Sequence, residues 1–236
     1  MKINKENSGE ASDREKSTDW TAYYSKPKSI FSVITQRFTL QKLIYFMEKY
    51  VHTSADIMEL GGGNSCFAKA LVKQCKVPVK SYSIADSCEV AVSRFKEMKL
   101  AGNAYQADLR MENVMQQEMN RYDVVYSVGL IEHYRGKDIA QIIKTHFSLC
   151  KEKGIVLISV PTPSVSYRMT RKIMEKCGWW EFPDEKPLKF RELEDYIKKV
   201  GKGIIIEKMI NYRLPLTQLI VVAMKQASSD KKRCKE

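Results

Sequence analysis

The chain has no apolar run approaching the roughly 18 residues that a membrane-spanning helix needs. Its first twenty residues, MKINKENSGEASDREKSTDW, lack the apolar stretch of a secretory signal. No C-x-x-C pair occurs among Cys66, Cys75, Cys88, Cys150, Cys177 and Cys234, and there are only three histidines. That spacing suits neither a zinc site nor a compact disulfide framework, so reduced thiols and no metal are expected. Together these absences point to a cytoplasmic protein. Glycine is sparse as well, with 11 residues in 236, yet three of them stand side by side at 61, 62 and 63.

What is present is an ordinary globular composition, 44% hydrophobic and 29% charged, on a chain long enough for one sizeable core. The net charge of +12 would suit nucleic acid, anionic lipid or an acidic substrate. Much of it is dispersed: residues 168 to 202 mix ten basic with seven acidic side chains, as a solvated surface does. A nucleic-acid partner is therefore possible but not favoured.

Residues 1–18 are polar and without aromatics through Thr18, and are expected to form a disordered tail. From Ile30 to Tyr50 apolar residues recur at helical spacing, which predicts one or two amphipathic helices. After Asp56 short strands are predicted at Ile57 to Leu60, Lys80 to Ala85, Ala104 to Asp108, Tyr122 to Ser127 and Ile155 to Val160. Helices are predicted between them at Ser65 to Cys75, Ser87 to Leu100 and Gly136 to Lys151. Such alternation implies β-α-β units and a largely parallel sheet covered on both faces. The segment IIIEKMINYRLPLTQLIVVAMK instead predicts two strands joined by a short turn containing Pro215, hence an antiparallel pair.

Ligands of an open α/β sheet bind beyond the carboxyl ends of its strands. The stretch IMELGGGNS puts Gly61, Gly62 and Gly63 at that place, where missing Cβ atoms allow positive φ and close approach of a ligand, with Ser65 expected to cap the following helix. A dinucleotide site would want G-x-G-x-x-G; here Cys66 and Phe67 follow, and Glu59 would repel a pyrophosphate but hold a cationic ligand. Acids recur at the next two strand ends. Asp86 is placed to accept both hydroxyls of a ribose. Asp108 is placed to accept an adenine amine, with the Leu109 amide beside it.

With RYDVVYSVGLIEHY and LCKEKGIVLISVPTP following in order, residues 56 to 163 resemble the class I S-adenosylmethionine-dependent methyltransferases, with weaker agreement to Lys225. The resemblance implies a Rossmann-like seven-stranded, mostly parallel sheet with an antiparallel last strand and helices on both faces. It implies S-adenosyl-L-methionine as cofactor, with Glu59, Gly61 and Gly63 under its methionine part, Gly62 between them, and Asp86 on the ribose, a role that Ser87 could share because Ala85 stands where many relatives have an acid. Asp108 and Leu109 match the adenine turn, and Val128 and Gly129 the backbone lining the sulfonium. In the family an N-terminal segment often forms a lid, which would make residues 19–50 a helical lid over a methyltransferase domain of residues 51–225. A substrate-region insertion at 162–200 and a basic tail at 226–236 complete the expected organisation.

A methyl sulfonium is already activated, so the protein need add only positioning and, for a hydroxyl acceptor, a base. His133, just past the fourth strand, is the candidate base, with tying down its loop as the alternative role. Tyr23, with Trp20 and Tyr24, is expected to meet cofactor or substrate or simply to dock on the domain, and Arg37 to pair with the cofactor carboxylate. Three functions follow: methylation of a small molecule such as a sugar or lipid-linked precursor, methylation of RNA or protein, or non-catalytic cofactor binding.

Overall fold

The computed structural model describes residues 17–26, 30–212 and 216–227. Pro215, most of the amino-terminal tail and residues 228–236 of the basic tail lie outside them. Seven strands, β1 (Ala55–Leu60), β2 (Val79–Asp86), β3 (Ala104–Gln106), β4 (Tyr122–Val128), β5 (Cys150–Pro161), β6 (Gly203–Asn211) and β7 (Gln218–Lys225), form one sheet. Their order is β3-β2-β1-β4-β5-β7-β6. β7 pairs antiparallel with both β5 and β6, and the remaining pairs are parallel. Strand order therefore reverses between β1 and β4, and the glycines after β1 open onto that switch point.

The helices are α1 (Trp20–Ser25), α2 (Ile30–Tyr50), α3 (Ala68–Gln74), α4 (Glu89–Glu97), α5 (Gly136–Leu149), α6 (Val165–Lys176) and α7 (Phe190–Val200). Alternate strand residues feed two separate cores, as the two-residue period of a strand requires. Met58, Leu60, Val125, Val156 and Ile158 pack with Ile142, Ile143 and Phe147 of α5 and Leu193 and Ile197 of α7. Ile57, Ile84, Val124 and Leu157 pack with Leu43, Phe46 and Met47 of α2, Leu71 of α3 and Phe95 of α4. His146, at the centre of the first layer, is fully buried; Nδ1 meets the Ile142 carbonyl at 2.8 Å and Nε2 the Ser127 hydroxyl at 2.9 Å. Burial lowers its pKa to about 4, so it is a neutral core residue.

The predicted strands and helices are all present, with shifted ends. The helix expected from Ser65 begins at Ala68, because Ser65 has φ of 42° and its hydroxyl bonds Glu59 instead of capping a helix. β3 stops at Gln106, since Asp108 closes a local turn by accepting the Arg110 amide at 3.0 Å. Residues 30–50 form one helix rather than two. Thr18, assigned by sequence to the tail, is buried and held by Asp184.

One turn has no tolerance. Gly102, before β3, has φ of +141°, and a Cβ there would run into the Tyr82 backbone carbonyl. Gly102→Ala is expected to destabilise the protein by about 2–4 kcal/mol in urea unfolding, through both strain and collision. A loss under about 0.5 kcal/mol, the size of a neutral surface change, would contradict this packing.

Candidate active site

The carboxyl ends of β1, β2, β3 and β4 converge on a cleft lined by Gly61, Asp86, Ser87, Ala107, Leu109, Gly129, Leu130 and Tyr134, with Trp20 and Tyr24 of α1 closing it. Of the residues singled out in the sequence, Gly61, Asp86, Ser87, Leu109 and Gly129 meet there. Gly61 and Gly63 have positive φ, and a Cβ on Gly63 would enter the Tyr24 ring. Gly62 lies against Glu59, whose carboxyl carbon would sit 2.6 Å from an added Cβ. A Cβ on Gly61 would meet Leu130, so each of the three consecutive glycines answers a different neighbour: Leu130, Glu59 and Tyr24.

Asp86 joins the first two strand ends. Its Oδ2 accepts the Gly63 amide at 2.8 Å and its Oδ1 accepts the Cys88 amide at 2.8 Å. Burial raises its pKa, opposed by these backbone donors. Glu59 is not exposed to the cleft. It is buried beneath the glycine turn, where Oε2 accepts from the Ser65 hydroxyl and from Tyr82 at 2.6 Å, while Tyr82 also pairs with Tyr126. Tyr126 stands directly beside Glu59 in the β1–β4 register, which explains the reach. Burial lifts Glu59 to about 7, against the pull of its hydroxyl donors.

Asp108 turns its carboxylate onto its own chain, pairing with Arg110 at 2.7 Å, and this holds its pKa below the usual range. Only its neighbours Ala107 and Leu109 line the cleft. Val128 ends β4 one residue before Gly129. Arg37 is exposed on α2 and does not line the cleft. Tyr23 packs against Trp20, Tyr24 and Phe182, while Tyr24 rather than Tyr23 faces the glycine turn. Arg94 of α4 holds the Tyr24 carbonyl.

His133 ends a 3-10 turn at Ile131–His133. Its Nδ1 lies 2.9 Å from Asp184 Oδ1, and Trp20 meets its ring edge-on at 4.9 Å. Burial lowers the imidazole pKa, although Asp184 pulls the other way. Asp184 is half-buried, and hydrogen bonds from Thr18 and His133 outweigh that burial and hold its carboxyl below the usual range. Sequence reasoning missed Asp184; its only signal was an acid within the aromatic run WWEFPDE.

Sequence reasoning also expected no metal ligands, whereas Glu132, His133 and Glu185 each bring a ligand atom within 4.8 Å of the others. Glu132 is buried and its Oε2 has no hydrogen-bond partner. Burial, then the neighbouring Glu185, raise Glu132 well above the carboxylate range; burial lifts Glu185 to about 7, although Tyr167 donates to it. Two carboxyls and an imidazole would suit a divalent cation. His133 Nδ1 is already on Asp184 and Glu185 Oε1 already accepts from Tyr167, so of the three groups Glu132 Oε2 is the one left without a hydrogen bond.

A family model described as a methyltransferase domain matches residues 34–201. No protein of curated function matches the chain in sequence. Among solved structures, magnesium protoporphyrin IX methyltransferase from Synechocystis superposes with a TM-score of 0.66 at 13% identity, over 88% of this chain and 94% of that one. The 1,6-didemethyltoxoflavin-N1-methyltransferase of Burkholderia thailandensis gives 0.60 at 10% identity, over 88% and 87%. The CurJ carbon methyltransferase gives 0.60 at 15%, over 88% of this chain and 58% of that one. At such identities the likeness concerns the fold.

Two substitutions test this geometry without any ligand. Asp86→Ala leaves the Gly63 and Cys88 amides without their acceptor and is expected to lower stability by about 1–3 kcal/mol, read by thermal unfolding; an unchanged melting temperature would contradict the bridge. Glu185→Gln removes an acid whose folded pKa is raised. Below its unfolded pKa near 4.5 both states hold the proton and nothing changes; as pH rises toward 7 the wild type loses stability and the variant does not. The variant should therefore exceed wild type by on the order of 1–3 kcal/mol at pH 8 and by almost nothing at pH 4.

Proposed function

The chain belongs to the S-adenosylmethionine-dependent methyltransferase family, and from that premise we propose that it methylates a small molecule, with Asp86 and the glycine turn positioning the cofactor and His133 receiving the acceptor's proton. The observation that carries the proposal is the convergence of Gly61, Asp86, Leu109 and Gly129 on one cleft, with the His133–Asp184 pair against Trp20 of its wall.

The residues fit the cofactor by type. A carboxylate at the end of β2 suits two ribose hydroxyls through charge-assisted bonds, Leu109 offers an apolar wall to a base, and Gly61 and Gly129 allow close approach to backbone. S-adenosylmethionine, when bound, supplies a methyl group already activated as a sulfonium. With α1 docked, the cleft offers about 30 Å³, far below the several hundred Å³ of a small-ligand pocket. Entry of a nucleoside therefore requires Trp20 and Tyr24 to move, which gives residues 20–26 the part of a lid.

His133 is set up as a base. If Nδ1 donates its proton to the ionised Asp184, Nε2 is left as an acceptor, and the lowered pKa keeps the ring neutral at pH 7. A small acceptor is supported by a second cavity of about 390 Å³, lined by Tyr134, Ile139, Leu188 and Tyr196 with Lys186 and Lys199, and Tyr134 also lines the first cleft. That volume falls in the range of small-ligand pockets. The structural neighbours named for magnesium protoporphyrin IX and 1,6-didemethyltoxoflavin fit a small acceptor while differing in what they methylate.

The test is a screen of small acceptors read by S-adenosylhomocysteine release, followed by His133→Ala on the acceptor found. Turnover should fall roughly 10²–10⁴-fold with cofactor affinity retained. The wild-type rate should rise with pH through a limb lying below 6.5, the ordinary imidazole value, and level off by neutrality. A less stable His133→Ala protein with full turnover per folded molecule would assign His133 to the loop instead.

A further inference from the structure

Helix α6 turns one face into the protein and leaves an unusual one outside. Inward, Tyr167 is buried and bonds Glu185, and Arg171 reaches the Glu185 carbonyl at 2.7 Å while lying over the Trp180 ring. Outward, Val165, Met169 and Ile173 are 66%, 61% and 57% exposed, and Trp179 just beyond the helix is 68% exposed. Arg168, Lys172 and Lys176 are exposed on the same helix. Residues four apart stack along one side of a helix, so 165, 169 and 173 make one stripe and 168, 172 and 176 another, offset by about 60°. The apolar and cationic stripes run side by side. The helix's one acid, Glu175, is already paired with Arg171 at 2.7 Å, and among the described residues none of the three outer cations forms an ion pair.

We infer that the outer face of α6, with Trp179, docks reversibly on a bilayer surface carrying anionic lipid. Charge complementarity is direct: three cations border the apolar stripe on a chain of net charge +12. Long Lys and Arg side chains reach phosphate while their neighbours enter the acyl boundary, and Trp favours the same interfacial depth. A protein partner fits less well, because the cores of protein interfaces are depleted of lysine and this apolar stripe is narrow and bordered by it. The helix follows β5 and its inward Tyr167 meets Glu185, next in sequence to the Asp184 that holds His133, so the docking face sits behind the wall of the candidate site.

The experiment is co-sedimentation of the full chain with vesicles of phosphatidylcholine alone and of phosphatidylcholine with roughly one-third phosphatidylglycerol. Binding is expected to the anionic vesicles only and to weaken with salt. Replacing Arg168, Lys172 and Lys176 together by Gln should lower affinity on the order of a hundredfold, about fivefold for each cation. Met169→Asp with Ile173→Asp should abolish binding. Both variants alter exposed side chains and should keep the wild-type melting temperature. Equal sedimentation with neutral vesicles, none with either kind, or wild-type binding by the charge variant would each overturn the inference; the last would move the contact to another basic surface. Self-association that Met169→Asp removes, without vesicle binding, would overturn it in favour of a protein interface.

Discussion

The carboxylate of Asp86 spans the gap between two strand ends, taking the Gly63 amide on one oxygen and the Cys88 amide on the other. Much of the cleft's shape depends on this bridge. It sets how the chain leaves β1 and how it enters α4, and α4 in turn holds α1 through Arg94 and the Tyr24 carbonyl. Beneath the same turn, Glu59 ties down Ser65 with help from Tyr82. A cofactor that asks Asp86 to accept ribose hydroxyls must share that carboxylate with the backbone, so affinity and loop order are coupled at one residue.

Around this centre the molecule places its titratable groups in dry surroundings. Glu59 and Glu185 are lifted to about 7 and His146 is lowered to about 4, and burial is the leading cause each time. The His133–Asp184 pair differs, because an ionised partner offsets part of the burial. A neutral imidazole facing an ionised carboxylate is the state a proton acceptor needs at pH 7. Thr18 and Trp20 both bear on this pair, so the segment that closes the cleft also completes the environment of the imidazole.

The order of strands and helices was legible because periodicity and turn residues repeat along the chain after Asp56, and because the glycines and Asp86 fall at strand ends. The details that escaped depend on contacts between distant residues. Asp184 reaches His133 across 51 positions, and Thr18 reaches Asp184 across 166. Asp108 reads as a ligand group from its position after β3, but two residues on, Arg110 supplies a partner that only the turn brings within reach. Ser65 has the composition of a helix cap, and its hydroxyl is captured by a buried acid six residues earlier. The acceptor is no more legible in the fold than in the sequence, since a methyltransferase named for carbon and one named for a nitrogen superpose on the same core.

The central claim is that the cleft at the ends of β1 to β4 takes S-adenosylmethionine. Isothermal titration of S-adenosylhomocysteine, with NAD as the competing nucleotide, tests it most directly, because binding needs no knowledge of the acceptor. The account predicts a single site per chain for S-adenosylhomocysteine, lost or weakened by roughly 1.5–3 kcal/mol in Asp86→Ala, and no heat with NAD. Binding of NAD without S-adenosylhomocysteine, or S-adenosylhomocysteine binding that Asp86→Ala leaves unchanged, would contradict it.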